Sequence, residues 1–113
     1  MTDSCIFCKI VRGEFGTEFV GESERAVAFQ DINPAAPVHL LVVPKEHLSA
    51  LRDLDDPSLG GELLELARQV ALDSGLTESG YRLISNDGAG AGQTVFHLHF
   101  HVLGGRPLST AMG

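Results

Sequence analysis

The seven residues His97-Leu98-His99-Phe100-His101-Val102-Leu103 alternate imidazole with apolar side chains. Successive side chains of a β-strand point to opposite faces of its sheet, so this pattern predicts a strand with three histidines on one face. Serine, threonine or lysine would solvate an outer face equally well. Imidazole, in contrast, exchanges protons near neutral pH, binds metals and attacks phosphorus as a neutral nucleophile. We therefore interpret the row, which holds three of the chain's five histidines, as functional.

The row by itself fits two kinds of chemistry. Three imidazoles are the protein ligands of some catalytic zinc sites, and a row can equally supply one nucleophile and one proton donor. The preceding loop, Asn86 to Thr94, alternates glycine with alanine before Gly92-Gln93-Thr94. Glycine lets backbone N–H groups approach an anion closely, so the loop favours a phosphate-bearing ligand. It differs from a Walker loop, because Gly-Lys-Ser/Thr is absent and a strand follows.

The rest of the sequence predicts an α+β fold with one antiparallel sheet. Residues 5–12 have apolar side chains at helical spacing, with Gly13 as a stop, and indicate a short helix. A long helix is expected to begin at Asp56-Pro57 and to end before Gly75. The predicted strands are Glu18 to Gly21, Ala26 to Gln30, Val38 to Val43, Tyr81 to Asn86 and Val95 to Leu103. Strands outnumber helices and do not alternate with them, which favours a five-stranded antiparallel sheet.

Length and composition set the class of molecule. The 113 residues suit a single domain, 1–113, and 43% of them are hydrophobic while 20% are charged. A net charge of −7 argues against sequence-independent nucleic-acid binding, so a phosphate ligand is expected to be small. The sequence shows neither the run of ~18 apolar residues that a membrane span needs nor a secretory pattern at Met1-Thr2-Asp3-Ser4. We therefore expect a cytoplasmic protein without a membrane partner.

The two cysteines stand two residues apart, at Cys5 and Cys8. They are too few for a disulfide framework, so they form a redox pair, half of a metal site, or two buried thiols. A redox role is disfavoured, because the sequence lacks the βαβ context of thioredoxin-like proteins. Metal binding and simple burial both stay open at this point.

The histidine row resembles the His-x-His-x-His-x-x signature of the histidine triad (HIT) superfamily, in which x is apolar. Within that superfamily the chain is similar to the Hint-like branch of the bacterial, zinc-containing type. The resemblance covers residues 5–10, 28–34, 36–47 and 86–106. It implies a HIT-like fold, a homodimer formed through the long helix and the neighbouring strand, and hydrolysis of purine nucleoside 5′-phosphoramidates or related nucleotides.

The resemblance also implies roles for individual residues. His99 matches the nucleophile that forms a nucleotidyl-histidine intermediate, and His101 matches the residue that contacts phosphate and delivers a proton to the leaving amine. His39 matches a fourth, supporting histidine. The positions that match substrate contacts are Asp31 for the ribose hydroxyls, Asn86, Gly92 and Thr94 for ribose or α-phosphate, and Ile6, Phe7, Ile10, Phe29 and Ile32 for the base. Gln93 is also expected to bind substrate. The expected ligand is a purine nucleotide such as AMP or GMP, and the reaction needs no catalytic metal.

Some bacterial relatives bind a structural zinc ion through a Cys-x-x-Cys pair and two histidines. Cys5, Cys8, His47 and His97 match those four positions. Two thiolates and two imidazoles form a closed tetrahedral set, which would join the N-terminal helix to the sheet. If zinc takes His97, that histidine is structural, and His99 and His101 carry the chemistry; otherwise His97 is the third catalytic member of the row.

Two departures from the family pattern bear on efficiency and substrate preference. Thr94 stands where many relatives have serine, and the C-terminal segment 106–113 lacks the tryptophan that is common in relatives. Two other functions stay open beside the phosphoramidase. One is a nucleotide-binding regulatory or scaffold protein with incidental turnover, and the other is a dinucleoside polyphosphate hydrolase of the same fold.

Overall fold

A computed structural model of the chain describes residues 4–111, so Met112 and Gly113 of the C-terminal segment lie outside it. All neighbouring strands are antiparallel, and their order across the sheet is β1-β2-β3-β5-β4. The elements are α1 (Ile6–Val11), β1 (Phe19–Glu22), β2 (Ala26–Gln30), β3 (Val38–Pro44), α2 (Pro57–Asp73), β4 (Tyr81–Ile84) and β5 (Phe100–Gly104). The predicted α+β fold, with a five-stranded antiparallel sheet, one long helix and one short helix, is confirmed. Among residues 4–111, no helix is both long and apolar enough to cross a membrane.

Helix α2 begins and ends where the sequence predicts. The carboxylate of Asp56 accepts hydrogen bonds from the N–H groups of Ser58 and Leu59 at 3.0 and 3.4 Å. Pro57 occupies the first helical position, where a missing N–H costs little. Gly75 follows the helix with a φ of +76°, the left-handed conformation that ends many helices. The predicted apolar face is buried: Leu59, Leu63, Leu66, Ala67, Val70 and Ala71.

Helix α2 covers one face of the sheet with apolar side chains. Its close approach to the edge strand β1 depends on Gly21, because a Cβ there would lie 2.5 Å from Cγ1 of Val70. Burying an aliphatic side chain of this size contributes about 1.5–3 kcal/mol, so this layer supplies much of the stability. The sheet residues packed under the helix include Ala26, Ala28, Leu40, Val42, Leu98, Phe100 and Val102.

The opposite face of the sheet combines apolar packing with histidines. Phe7 of α1 meets Phe29 edge to face, with ring centroids 5.6 Å apart. His97 and His99 contact the same phenyl ring and are 0% and 7% exposed. The other side chains of this smaller cluster are Val27, Leu41 and Val43.

The histidine strand is shorter than predicted. The sequence predicted a strand from Val95 to Leu103, whereas β5 begins at Phe100. The facing strand β3 ends at Pro44, which has no N–H to offer to a ladder. The carbonyl oxygen of Pro44 accepts a hydrogen bond from Nε2 of His97 at 2.9 Å instead of a backbone bond. The other strands and α1 agree with their predicted bounds within two residues at each end.

The predicted alternation of side chains persists beyond the end of the ladder. Leu98, Phe100 and Val102 all lie in the cluster under α2, while the histidines lie on the side of Phe7. The N–H of Leu98 donates to the carbonyl of Leu48 at 2.6 Å, outside the sheet. The backbone of Leu98 thus has a loop partner where the strand partner has ended.

Candidate active site

Helix α1 brings both cysteines against the histidine row. Cys5 is the N-cap of α1, and its sulfur accepts a hydrogen bond from the N–H of Cys8 at 3.4 Å. Nδ1 of His97 lies 3.3 Å from Sγ of Cys5 and 3.5 Å from Sγ of Cys8. Nδ1 of His47 lies 3.4 Å from Sγ of Cys8. The fold thus gathers the four residues assigned to zinc, with their ligand atoms within 4.8 Å of one another.

The donor set of this cluster fits a tetrahedral zinc ion. Zn–S and Zn–N bonds of about 2.3 and 2.0–2.1 Å place sulfur and nitrogen ligands about 3.6 Å apart, close to the distances above. His97 donates its Nε2–H to the carbonyl of Pro44, which leaves the lone pair of Nδ1 facing the sulfurs. Burial, together with a hydrogen bond to Cys5, raises the pKa of Cys8 to about 11. The Cys8 thiol is therefore protonated at neutral pH, and a bound cation would displace that proton.

His99 is held by one backbone hydrogen bond and one ring contact. Its Nδ1–H donates to the carbonyl oxygen of His97 at 2.7 Å, and Phe7 meets its ring edge-on with centroids 5.1 Å apart. Burial lowers the pKa of His99 below its ordinary value, so the ring is neutral at pH 7. Because the proton is on Nδ1, Nε2 carries the lone pair. A neutral imidazole in this tautomer is a competent nucleophile.

A chain of hydrogen bonds fixes the tautomer of His101. The N–H of Ala35 donates to Nδ1 of His39 at 3.0 Å, so the proton of His39 lies on Nε2. That Nε2–H donates to Nδ1 of His101 at 2.9 Å, which places the proton of His101 on Nε2. Oδ2 of Asp31 lies 3.4 Å from Nε2 of His39. Burial, and then the neighbouring His99 and His39, lower the pKa of His101 to about 4, so the neutral ring is a hydrogen-bond donor.

A cavity of about 380 Å³ opens beside His99 and His101. Its size is in the range that holds small ligands, and it combines an apolar wall with imidazole, hydroxyl and carboxylate groups. The predicted substrate-contact residues that line it are Ile6, Phe7, Ile10, Phe29, Asp31, Ile32 and Thr94. Further lining residues, which sequence reasoning missed, are Thr17, Gln30, Asn33, Leu41 and Val95. This arrangement suits a ligand that carries both a flat apolar ring and hydrogen-bonding groups.

The lining of this cavity does not include three predicted contact residues, namely Asn86, Gly92 and Gln93. The buried side chain of Gln93 is engaged inside the protein: Oε1 accepts from the N–H of Gly88 at 2.8 Å. Its Nε2 donates to the carbonyls of Ser49 at 2.7 Å and Val95 at 3.0 Å. These three bonds show that the Gln93 side chain orders the glycine-rich loop from within. A contact between Gln93 and the substrate stays a prediction.

Two backbone groups that complete the site were also missed. The N–H of Ala35 sets the proton position of His39, and the carbonyl of Pro44 sets that of His97. The segment 33–37 reads as a proline-bounded turn in the sequence, but no side-chain pattern shows which of its N–H groups faces a histidine. Every fully buried side-chain nitrogen and oxygen between residues 4 and 111 has a hydrogen-bond partner.

The fold and the histidine row together define the class of protein. The model of the HIT domain family matches residues 12–108, and the chain belongs to this family. An uncharacterised HIT-like protein of Synechocystis is 47% identical over an alignment of 115 positions, which covers 100% of both chains. The purine nucleoside phosphoramidase of Escherichia coli strain K12 is 38% identical over 96% of this chain and 92% of its own length. The crystal structure of a HIT family hydrolase from Legionella pneumophila has a TM-score of 0.92 and 43% identity, and the match covers 97% of this chain and 100% of that one.

Proposed function

We propose that this chain hydrolyses the P–N bond of purine nucleoside 5′-phosphoramidates. The observation that carries the proposal is the state of His99: a neutral ring, Nδ1–H bonded to the carbonyl of His97, and a free lone pair on Nε2 beside a nucleotide-sized cavity. Similarity over nearly the full length to a purine nucleoside phosphoramidase supports the substrate class. The nucleotide product of this hydrolysis is AMP or GMP.

The proposed reaction consists of two displacements at the α-phosphorus. In the first, Nε2 of His99 forms a bond to phosphorus while the bond to the amine nitrogen breaks, and the amine leaves with an added proton. In the second, a water oxygen attacks phosphorus while one water proton passes to His101, which the first step left neutral, the bond from phosphorus to Nε2 of His99 breaks, and the nucleoside monophosphate leaves. A covalent intermediate divides one difficult step into two easier ones.

His101 is the proposed phosphate contact and proton donor. With a pKa of about 4 it is neutral in the free protein, so it must gain a proton before it can give one to the amine. Binding of an anionic phosphate raises the proton affinity of a neighbouring imidazole, and the charge of Asp31 acts in the same direction. Protonation of His101 therefore accompanies substrate binding. His39 is a positioning residue that holds the neutral His101 ring before the substrate binds; the added proton occupies Nδ1 of His101, so the hydrogen bond from Nε2 of His39 is released on protonation.

The remaining proposed contacts divide the cavity into two parts. The carboxylate of Asp31 accepts hydrogen bonds from the ribose hydroxyls, although one of its oxygens is already bonded to the N–H of Asn33 at 2.8 Å. The apolar wall around Phe7 and Phe29 packs against the base. Thr94 also lines the cavity, and its hydroxyl contacts the phosphate side of the substrate.

The test compares hydrolysis of adenosine 5′-phosphoramidate by the wild type and by His99→Ala, with AMP binding measured in parallel. We expect turnover to fall by at least about 10³-fold while AMP binding persists, because only the nucleophile is removed. Phe15→Leu is the matched control, since Phe15 is 58% exposed and does not line the cavity. A wild type that binds AMP but releases no amine would refute the phosphoramidase and favour a nucleotide-binding regulator. Faster cleavage of a dinucleoside polyphosphate would favour the third hypothesis.

We also propose that Cys5, Cys8, His47 and His97 hold a structural zinc ion. The bound ion would join α1 to the sheet and add its binding free energy to the stability of the fold. The support is the geometry of the cluster, since both cysteines lie before the matched segment 12–108. Elemental analysis should find one zinc per chain. Chelation should lower the unfolding temperature clearly and should change the turnover at saturating substrate little. Equal zinc content in Cys5→Ser would contradict the assignment.

The homodimer is proposed through α2 and β4. Strand β4 is an edge of the sheet, and edge strands offer unpaired backbone groups to a partner. Exposed apolar side chains lie on both elements: Leu64 and Leu72 on α2, and Tyr81 and Leu83 on β4. Light scattering at micromolar concentration should give twice the chain mass of 12.0 kDa. A mass equal to one chain would refute the dimer.

A further inference from the structure

Helix α1 belongs to two sites at once. Its cap Cys5 and its residue Cys8 point into the thiol–imidazole cluster, whereas Ile6, Phe7 and Ile10 line the cavity beside His99. The two sets of residues alternate within a helix of six residues and its cap. The helix therefore cannot shift with respect to one site without shifting with respect to the other.

His97 also spans both sites. Its Nδ1 lies 3.3 and 3.5 Å from the two sulfurs, while its carbonyl oxygen accepts the Nδ1–H of His99 at 2.7 Å. Phe7 reinforces this link, because its ring stands edge-on to both imidazoles. The ring centroid of Phe7 lies 5.9 Å from that of His97 and 5.1 Å from that of His99. A displacement at the cluster thus reaches His99 through one hydrogen bond and one shared ring.

Apolar packing anchors α1 only in part, so the cluster of Cys5, Cys8, His47 and His97 can contribute to holding this helix in place. A helix of six residues is not stable by itself, so its place is set by what it packs against. Phe7 is buried in the apolar cluster on this face of the sheet, but Cys5, Ile10 and Val11 are only partly buried. A four-coordinate cation would fix α1, the segment at His47 and the segment at His97 in one geometry.

We propose that occupancy of the Cys5–Cys8–His47–His97 cluster sets the nucleotide affinity of the site, with Phe7 and His97 as the positioning residues that couple them. The proposal rests on the function proposed above and extends it to regulation of the same site. The loaded cluster holds the α1 wall of the cavity in the conformation that the nucleotide binds. By thermodynamic linkage, the nucleotide raises the affinity for the cation by the same factor. The expected factor is about tenfold, within the ordinary range of such couplings.

The experiment uses the full chain, stripped of metal or reloaded with one equivalent of Zn²⁺. Calorimetry gives the dissociation constant of AMP in both states, and competition with a chromophoric chelator gives that of Zn²⁺ with and without saturating AMP. We expect both constants to tighten by the same factor of about ten. One equivalent keeps free Zn²⁺ low, so direct binding of Zn²⁺ to AMP does not mimic the coupling.

Phe7→Leu tests the route of the coupling. This change keeps the four ligands and an apolar side chain at position 7, so the variant should still bind one Zn²⁺, and its own zinc affinity without AMP is the baseline for its coupling factor. That factor should be clearly smaller than in the wild type, because the ring shared by His97 and His99 is lost while the hydrogen bond from His99 to the carbonyl of His97 remains. Phe15→Leu is the matched control. It removes an exposed ring from the turn that follows α1 and should retain the full coupling factor of the wild type.

Three results would overturn the proposal. Equal AMP affinities in the stripped and loaded protein would remove the coupling, and so would failure of the chain to bind Zn²⁺. Full coupling retained in Phe7→Leu would refute the assigned route. Absence of AMP binding in both states is a separate outcome, because it refutes the proposed nucleotide chemistry itself, and the coupling with it. A lower unfolding temperature of Phe7→Leu does not affect the wild-type comparison, which decides whether the two sites are coupled, whereas Phe7→Leu decides the route.

Discussion

The two faces of the sheet are built from the same strands, yet they hold different kinds of side chain. The layer between α2 and the face that it covers is a cluster of buried apolar residues, such as Leu63, Val42 and Phe100. The face toward α1 buries imidazoles beside phenyl rings, and their ring protons are placed by backbone partners. Because successive residues of one strand supply both layers, one layer can be fitted for stability and the other for chemistry. Substitutions on the two faces should therefore affect different measurements.

The largest effect that separates the faces is expected from His101→Gln. Loss of a positioned proton donor should lower phosphoramidate turnover by about 10²–10⁴-fold. The unfolding free energy should change little in comparison, since the glutamine amide can still accept a hydrogen bond from Nε2 of His39. Steady-state kinetics and urea unfolding of the same preparation measure both quantities. A loss of stability that parallels the loss of turnover would show that this face is structural as well.

The reverse pattern is expected from Leu63→Ala under α2. Leu63 is fully buried, so its truncation leaves a cavity and should lower the free energy of unfolding by about 2–5 kcal/mol. At a temperature where the variant is folded, turnover and AMP affinity should match the wild type. Chemical denaturation followed by circular dichroism, with kinetics below the unfolding transition, provides the measurement. Reduced turnover of the folded variant would mean that the two faces are not independent.

The smallest effect is a pH dependence of stability that the histidine face imposes. The pKa of His101 is about 4 in the folded chain, against 6.5 for an unburied histidine. Between these values the unfolded chain binds a proton that the folded chain does not, so stability is lost as the pH falls through this window. The wild type should lose about 1–2 kcal/mol more than His101→Gln on acidification from neutral pH to about pH 4. Equal losses in both proteins would contradict the burial of this imidazole.

Much of the fold could be predicted from local patterns. The cap at Asp56-Pro57 and the apolar spacing of α2 define that helix without tertiary information, and the strand bounds are mostly right for the same reason. The start of β5 was wrong because it depends on a partner. Pro44 ends the ladder on the neighbouring strand, and nothing within residues 95–99 signals that event.

The candidate site was predictable only in part. The alternation of the histidine row placed three imidazoles on one face, but the cysteines, His47 and His97 are joined by the fold and not by spacing. His47 is 39 residues from Cys8, and His97 is 89 residues from it. Backbone donors and acceptors, such as the N–H of Ala35, have no sequence signature at all. The internal bonds of the Gln93 side chain could not be foreseen, because a polar residue in a phosphate-type loop gives the same pattern whether its side chain faces a ligand or the loop itself.

The three internal hydrogen bonds of Gln93 have a kinetic consequence for the glycine-rich loop. A loop that is already ordered loses little conformational entropy when a ligand arrives, which is the benefit of preorganisation. Encounter with a nucleotide then needs no slow rearrangement of this segment, and association rates should differ little among related nucleotides. Selectivity between adenine and guanine would accordingly be expressed in how long each nucleotide stays bound.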